Sequence, residues 1–348
     1  MAGTESARGL TNAATPGLLL GGDDGMAAVE TLMNNLARGE HDDFCGVIAL
    51  DHLASGGKRL RAKLALAAAE TLGSTREAAI GWAAACELLH NATLIHDDVQ
   101  DGDRVRRGRP TTWVTFGSAN AINAGDLMLM LPTLAVGQVE TDDACRWRLC
   151  EILGRQASKV IRGQVAELEM TAKADTSWDV YDRAIVGKTS ALFELPVVGA
   201  AVLSGATAEE ARRVATPFRT LGVLFQMQDD VIDLFGDKGR GQPGSDIKEG
   251  KVSALVVEHV ARHPSERDWI VEILRTPREQ TSQETVNEVI KRFDRSGALK
   301  GVCKRIERDT ELAINAPELV HYPKIQALIA ELCNVIVAPI ANTMKRFV

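Results

Sequence analysis

AAIGWAAACELLHNATLIHDDVQD, residues 78–101, decides the architecture. Trp82, Cys86, Leu88, Leu89, Leu94 and Ile95 place apolar groups around most of a helical circumference. A helix that is apolar all round is buried on nearly every side. This one ends in Asp97-Asp98-Val99-Gln100-Asp101. A second apolar run, from Leu221, ends the same way in Asp229-Asp230-Val231-Ile232-Asp233. On a helix, i and i+4 share a face and i+1 lies about 100° away. Burying such carboxylates unpaired is costly, and the cheapest solution is a cavity where cations meet both clusters. All-oxygen carboxylate sets suit hard divalent ions such as Mg²⁺, which keep several waters and bridge to phosphates.

Working outward, helical periodicity marks 62–72, 119–136, 144–170, 190–203, 208–235 and 324–346, and no stretch alternates long enough for a sheet. The expected fold is all-α: one domain, 25–348, forming an antiparallel helix bundle around a deep central cavity. Residues 1–24, rich in Ala, Gly and Thr, read as a mobile tail. The chain has 348 residues, 45% of them hydrophobic and 4% aromatic. A net charge of −7 argues against nonspecific nucleic-acid binding. The cysteines lie scattered without a CxxC pair, as buried thiols of a reducing cytoplasm would. No apolar run reaches the roughly 18 residues of a spanning helix, and there is no signal-peptide pattern.

One acidic triplet is commonly a solvated helix face. The repetition on two buried helices, and the basic segments nearby, argue otherwise. Gly56-Gly57-Lys58-Arg59-Leu60-Arg61 joins a close-approach turn to a cationic helix start, a ready diphosphate site. Arg104-Val105-Arg106-Arg107-Gly108-Arg109 follows the first aspartates, and Arg grips phosphate in bidentate fashion.

GGKRLR (56–61), HNATLIHDDVQD (90–101), RRGRPTTW (106–113), GKT (187–189), FQMQDDVID (225–233) and GSDIKEGK (244–251) occur in the order seen in trans-isoprenyl diphosphate synthases. The chain resembles that family from about residue 50 to 255. The resemblance implies head-to-tail condensation of isopentenyl diphosphate with an allylic diphosphate (dimethylallyl, geranyl or farnesyl), and a homodimer. It implies three Mg²⁺ ions held by Asp97, Asp101 and Asp229, with Asp98, Asp230 and Asp233 close by as ligands or supporting partners. Lys58, Arg61, His90 and Arg107 match the isopentenyl diphosphate pocket. Arg106, Lys188 and Lys251 match groups that hold the allylic diphosphate. Lys188, Thr189 and Gln226 match groups that stabilise the developing carbocation, and Gln164 sits in a Gly-Gln element the family also has. Some positions depart from the pattern. Gln242 stands where relatives have Lys, a charge that Lys238 or Arg240 would have to supply. Glu167 stands where Asp is common.

Product length follows from what lies beneath Asp97. Ala92 is about 7 Å down the helix, with Thr93 beside it, and the small pair lets a growing tail pass. Leu89, Met128 and Met130 are the candidate floor, methionine being an adaptable gap-filler. The expected product is geranylgeranyl diphosphate (C20), with farnesyl (C15) or longer chains as alternatives. A class I terpene cyclase and a noncatalytic partner subunit are the rival readings. Both aspartate clusters and GGKRLR weigh against them.

Overall fold

The computed structural model describes residues 17, 25–40, 43–236 and 242–347. The tail expected at 1–24 lies outside them except for Gly17, as do Lys238 and Arg240. The chain is almost wholly helical. In order run α1 (Met26–Arg38), α2 (Phe44–Ala54), α3 (Leu60–Thr71), α4 (Ile80–Gln100), α5 (Thr112–Phe116) and α6 (Ser118–Gly137). Then come α7 (Asp143–Lys173), α8 (Trp178–Ile185), α9 (Ala191–Leu203), α10 (Ala208–Phe235), α11 (Ser245–Lys248) and α12 (Ala254–Arg262). The chain closes with α13 (Arg267–Arg275), α14 (Gln283–Arg295), α15 (Ala298–Ile314), α16 (Pro323–Val337) and α17 (Ala341–Met344).

Local chemistry sets the ends of the long helices. Asp142 caps α7 by accepting from the Cys145 amide. Thr207 and Glu210 form a reciprocal capping box at the start of α10, an arrangement that contributes about 1 kcal/mol. Helix α4 packs into the centre as its pattern demands: Trp82, Leu88, Leu89 and Ile95 are fully buried. The Trp82 indole donates to the Pro196 carbonyl of α9 at 3.0 Å. A Cβ on Gly199 would lie 2.0 Å from that ring, so α9 approaches as closely as glycine permits.

One feature escapes the sequence reading, and one expectation needs correction. A short antiparallel hairpin exists, pairing Val105 with Pro110 and Arg106 with Arg109. Its turn residues, Arg107 (φ 53°) and Gly108 (φ 75°), are both left-handed, as a tight two-residue hairpin turn requires. A two-residue strand leaves no alternation to read. Secondly, three helices are long and apolar enough to cross a membrane by length and composition: Ser118–Gly137, Trp178–Leu203 and Pro323–Met344. The second runs from α8 through α9 by way of a π-helical turn, Val186–Ser190, so the continuous helix exceeds the sequence-read segment 190–203. Of its most apolar 18-residue stretch, 83% is buried within the bundle.

Candidate active site

A cavity of about 450 Å³ opens where the C-terminal ends of α4 and α10 meet the middle of α7 and the π-helical turn. Asp97 and Asp101 line one wall, and Asp229 and Asp230 line another. The structure sorts the six aspartates by what else touches them. Asp98 is buried and takes the Arg106 guanidinium at 2.7 Å (Nε) and 2.6 Å (Nη2). Asp230 accepts from the Tyr181 hydroxyl (2.8 Å), the Ala254 amide (2.7 Å) and Gln226 Nε2 (3.0 Å). Asp233 accepts from Ser245 Oγ and from the Asp246 amide at 3.1 Å. Asp98, Asp230 and Asp233 therefore hold the hairpin, α8, α12 and the 244–248 loop in place. Asp97, Asp101 and Asp229 line the cavity together with Asp230.

Two lysines reach into this acidic rim. Lys188 Nζ lies 2.5 Å from Glu167 and 3.7 Å from Asp97. Lys251 Nζ lies 2.8 Å from Asp101 and 3.0 Å from Glu249. Burial works against each ammonium, but Glu167 and Asp97 keep Lys188 above its ordinary pKa. Asp101, Asp246 and Glu249 hold Lys251 well above its own. Both remain cations able to meet a leaving diphosphate. Glu167, one methylene longer than the expected Asp, spans to Lys188 directly.

Lys188 and Thr189 sit on the π-helical turn, a local irregularity of the kind that often marks functional positions. Gly163 of α7 fits against it. A Cβ there would come within 2.1 Å of the Lys188 amide nitrogen. Thr189 donates to Gln226 Oε1 at 3.3 Å, and Gln226 in turn donates to Asp230. This places Thr189 and Gln226, two of the groups matched to carbocation stabilisation, in one hydrogen-bonded chain, with Lys188 adjacent on the turn. Gln164 Nε2 bonds Gln100 Oε1 at 2.7 Å and ties α7 to the first aspartate helix.

A cationic end completes the cavity. Arg61 lies 4.8 Å from the Phe193 ring centroid and 5.5 Å from that of Phe225, contacts worth about 2 kcal/mol when desolvated. His90 lines the cavity beside it. Burial and the nearby Arg61 charge hold the imidazole well below its usual pKa. Arg107 does not line the cavity. Its guanidinium packs over Gly57 and donates to the Gly56 carbonyl and to Ser55 Oγ (3.3 Å) at the rim. Lys58 is exposed and also lies off the lining, because the left-handed pair Gly56-Gly57 (φ 80° and 126°) turns the chain outward before α3 begins.

The residues expected to set product length separate. Thr93 lines the cavity, one helical turn before Asp97, with Leu129, Val160 and Ile161 opposite. Ala92, Leu89 and Met128 are fully buried in helix packing and do not line it. Met130 is corrected outright: it stands 64% exposed on the outer face of α6. One residue is a 100° rotation on a helix, which takes Ala92 away from the cavity that Thr93 faces. Sequence reasoning missed Tyr181 and Asp246, both on the lining. Tyr181 belongs to no patterned motif that could single it out. Asp246 does lie inside GSDIKEGK.

A helical bundle whose central cavity is lined by two carboxylate clusters and by Arg61 has the architecture of a transferase of diphosphate esters. The chain belongs to the polyprenyl synthetase family, which it matches over residues 47–293, and is a trans-prenyltransferase, an isoprenyl diphosphate synthase. It is 34% identical over 254 residues to the short chain isoprenyl diphosphate synthase of Methanothermobacter thermautotrophicus, covering 72% of this chain and 77% of that one. Its fold superposes on the geranylgeranyl pyrophosphate synthetase of Pyrococcus horikoshii with a TM-score of 0.82 at 27% identity, covering 92% and 98% of the two chains. A polyprenyl synthase of Caulobacter crescentus, solved with calcium and isoprenyl diphosphate, gives 0.82 at 26% identity, covering 94% and 99%. Members use isopentenyl and allylic diphosphates and generally depend on Mg²⁺.

The residues present fit such an ion. Burial pushes the Asp97 carboxyl up to about 6 despite Lys188 beside it, which marks a carboxylate short of positive charge. Among the described residues no three carboxyl, imidazole or thiol groups close around one point. Asp97, Asp101 and Asp229 would hold such an ion, which would supply positive charge against a substrate phosphate.

Proposed function

We propose that this enzyme makes geranylgeranyl diphosphate (C20) by adding isopentenyl diphosphate to dimethylallyl, geranyl or farnesyl diphosphate. The reading rests on the facing of Asp97 and Asp101 against Asp229, with Arg61 and His90 on the same cavity. The allylic diphosphate lies against Lys188, Lys251 and Arg106. Isopentenyl diphosphate lies against Arg61 and His90, with Arg107 and Lys58 at the rim. Mg²⁺, three ions in this proposal, neutralises the leaving diphosphate when bound. Lys188 and Lys251 add fixed positive charge to the same oxygens. Thr189 and Gln226 turn oxygen dipoles toward the allylic carbon as its C–O bond breaks. The double bond of isopentenyl diphosphate attacks that carbon, and the departing diphosphate takes the proton. Apolar walls from Val160, Ile185, Leu192 and Phe225 keep water from the cation.

The enzyme acts as a homodimer in the cytoplasm in this reading. Ile122, Met130 and Leu134 on α6 and Trp147 on α7 are exposed apolar residues, and exposed apolar groups brought together are a mark of an interface. Buried thiols at Cys86, Cys303 and Cys333 suit a reducing compartment. Sedimentation at two concentrations tests the dimer; a monomer at both rejects it.

Incubation with Mg²⁺, isopentenyl diphosphate and each primer, with products identified by mass, tests the activity. C20 should dominate and chelation by EDTA should abolish turnover. A hydrocarbon formed from the allylic substrate alone would establish a cyclase instead. The floor is tested separately. Thr93→Phe should shift products toward C15 or shorter. Ala92→Phe should leave their distribution in place and cost roughly 1–3 kcal/mol of stability by overpacking. Unshifted products in Thr93→Phe would place the floor elsewhere.

A further inference from the structure

Helix α4 carries one buried carboxylate that the reaction does not use. Glu87 is 2% exposed and lies one turn before His90, among apolar neighbours. Its Oε2 accepts the Ala62 amide of α3 at 3.1 Å. Its Oε1 is 3.4 Å from Asn91 Nδ2, which also donates to the Glu87 carbonyl at 2.8 Å. That amide fixes the carboxylate's direction.

The start of α3 lacks a cap of its own. Its N-cap residue, Arg59, has a left-handed backbone (φ 50°) and makes no side-chain cap. The Arg59 side chain is spent on the Leu53 carbonyl at 2.8 Å and on Glu30 at 3.3 Å. The first-turn amides of a helix need an acceptor, and here the acceptor comes from a neighbouring helix. Arg61 belongs to that same first turn. Burial lowers its pKa to about 10, and the Glu87 charge is the chief influence opposing this.

We propose that Glu87 is the positioning residue of the Arg61 subsite. Its carboxylate clamps the first turn of α3 onto α4, and so sets where the Arg61 guanidinium meets isopentenyl diphosphate. It touches no substrate. Its effect passes through α3, and Lys188 and Lys251, on other elements, are left unaltered. This rests on the assignment of Arg61 to isopentenyl diphosphate in the proposed function.

Steady-state kinetics on purified full-length enzyme, varying each diphosphate separately, test it. Glu87→Leu should raise KM for isopentenyl diphosphate at least tenfold, with kcat and the allylic KM within threefold. Glu87→Gln, whose amide oxygen accepts the same Ala62 hydrogen bond, should restore that KM to within threefold of wild type. Glu87→Asp keeps the charge but falls a methylene short, and carries the same expectation as the leucine variant where that variant does not fold. Both KM values rising alike, or kcat falling with both KM values unchanged, would overturn the positioning role. A wild-type enzyme that consumes no isopentenyl diphosphate would instead reject the proposed function.

Discussion

Asp97→Ala and Asp229→Ala should each lower elongation turnover about 10³-fold, the scale on which removing one preorganised charge-stabilising group acts. That corresponds to roughly 4 kcal/mol of transition-state stabilisation. Both carboxylates line the cavity at the ends of long helices whose apolar sides carry the packing. Helical circular dichroism should therefore be unchanged. Near-normal turnover in both variants would sink the two-cluster mechanism. Asp97 also exposes a trade-off between activity and stability. Its folded pKa is about 6 against an ordinary 3.8, so the ionised form is disfavoured by folding. The cost is complete above pH 6 and vanishes below pH 4. Asp97→Asn should thus raise the metal-free melting temperature at pH 7.5, with the gain shrinking as pH falls toward 4. A gain that persists at pH 4 would contradict this sign.

Gly163→Ala should both destabilise the enzyme and remove most of its turnover. The added methyl would meet Lys188 N at 2.1 Å and Gly187 C at 2.4 Å. These are backbone atoms that cannot swing aside. Overpacking of this kind costs roughly 1–3 kcal/mol, and here the strain falls on the π-helical turn that aims Lys188 and Thr189. The control lies on the same helix. At Gly154 an added methyl would have nothing within 4 Å of it, so Gly154→Ala should stabilise by about 0.5–1 kcal/mol with kcat unchanged. Paired thermal melts and turnover measurements separate the two outcomes. Equal behaviour of the two variants would show that the close α7 contact does not govern the turn.

Much of this was legible in the chain. Periodicity located α3, α4, α6, α7, α9 and α10 to within a few residues, because each buries a broad apolar stripe that leaves a 3.6-residue signature, and it read α16 and α17 with the turn between them as one helix. The clustered aspartates at two helix ends marked the cavity through residue type and spacing alone. The hairpin at 105–110 was invisible because two-residue strands carry no period. The π-helical turn was invisible because one extra residue per turn leaves no compositional mark. Arg61 and Lys58 looked equivalent in GGKRLR, yet one faces the cavity and the other faces solvent.

Residue order by itself determined the helical class, the two carboxylate triplets at the ends of buried helices and the basic groups that must answer them. These follow from local periodicity and from the cost of burying charge. Only the tertiary structure decided which aspartates tie other elements of the fold together. Asp98, Asp230 and Asp233 are taken up by Arg106, Tyr181, Ala254 and Ser245, donors from other elements of the fold. It also decided that Thr93 faces the cavity, Ala92 is packed away and Met130 stands outside. Each outcome depends on how a helix is rotated about its own axis. That angle is set by the neighbours it packs against, which no local stretch of sequence contains.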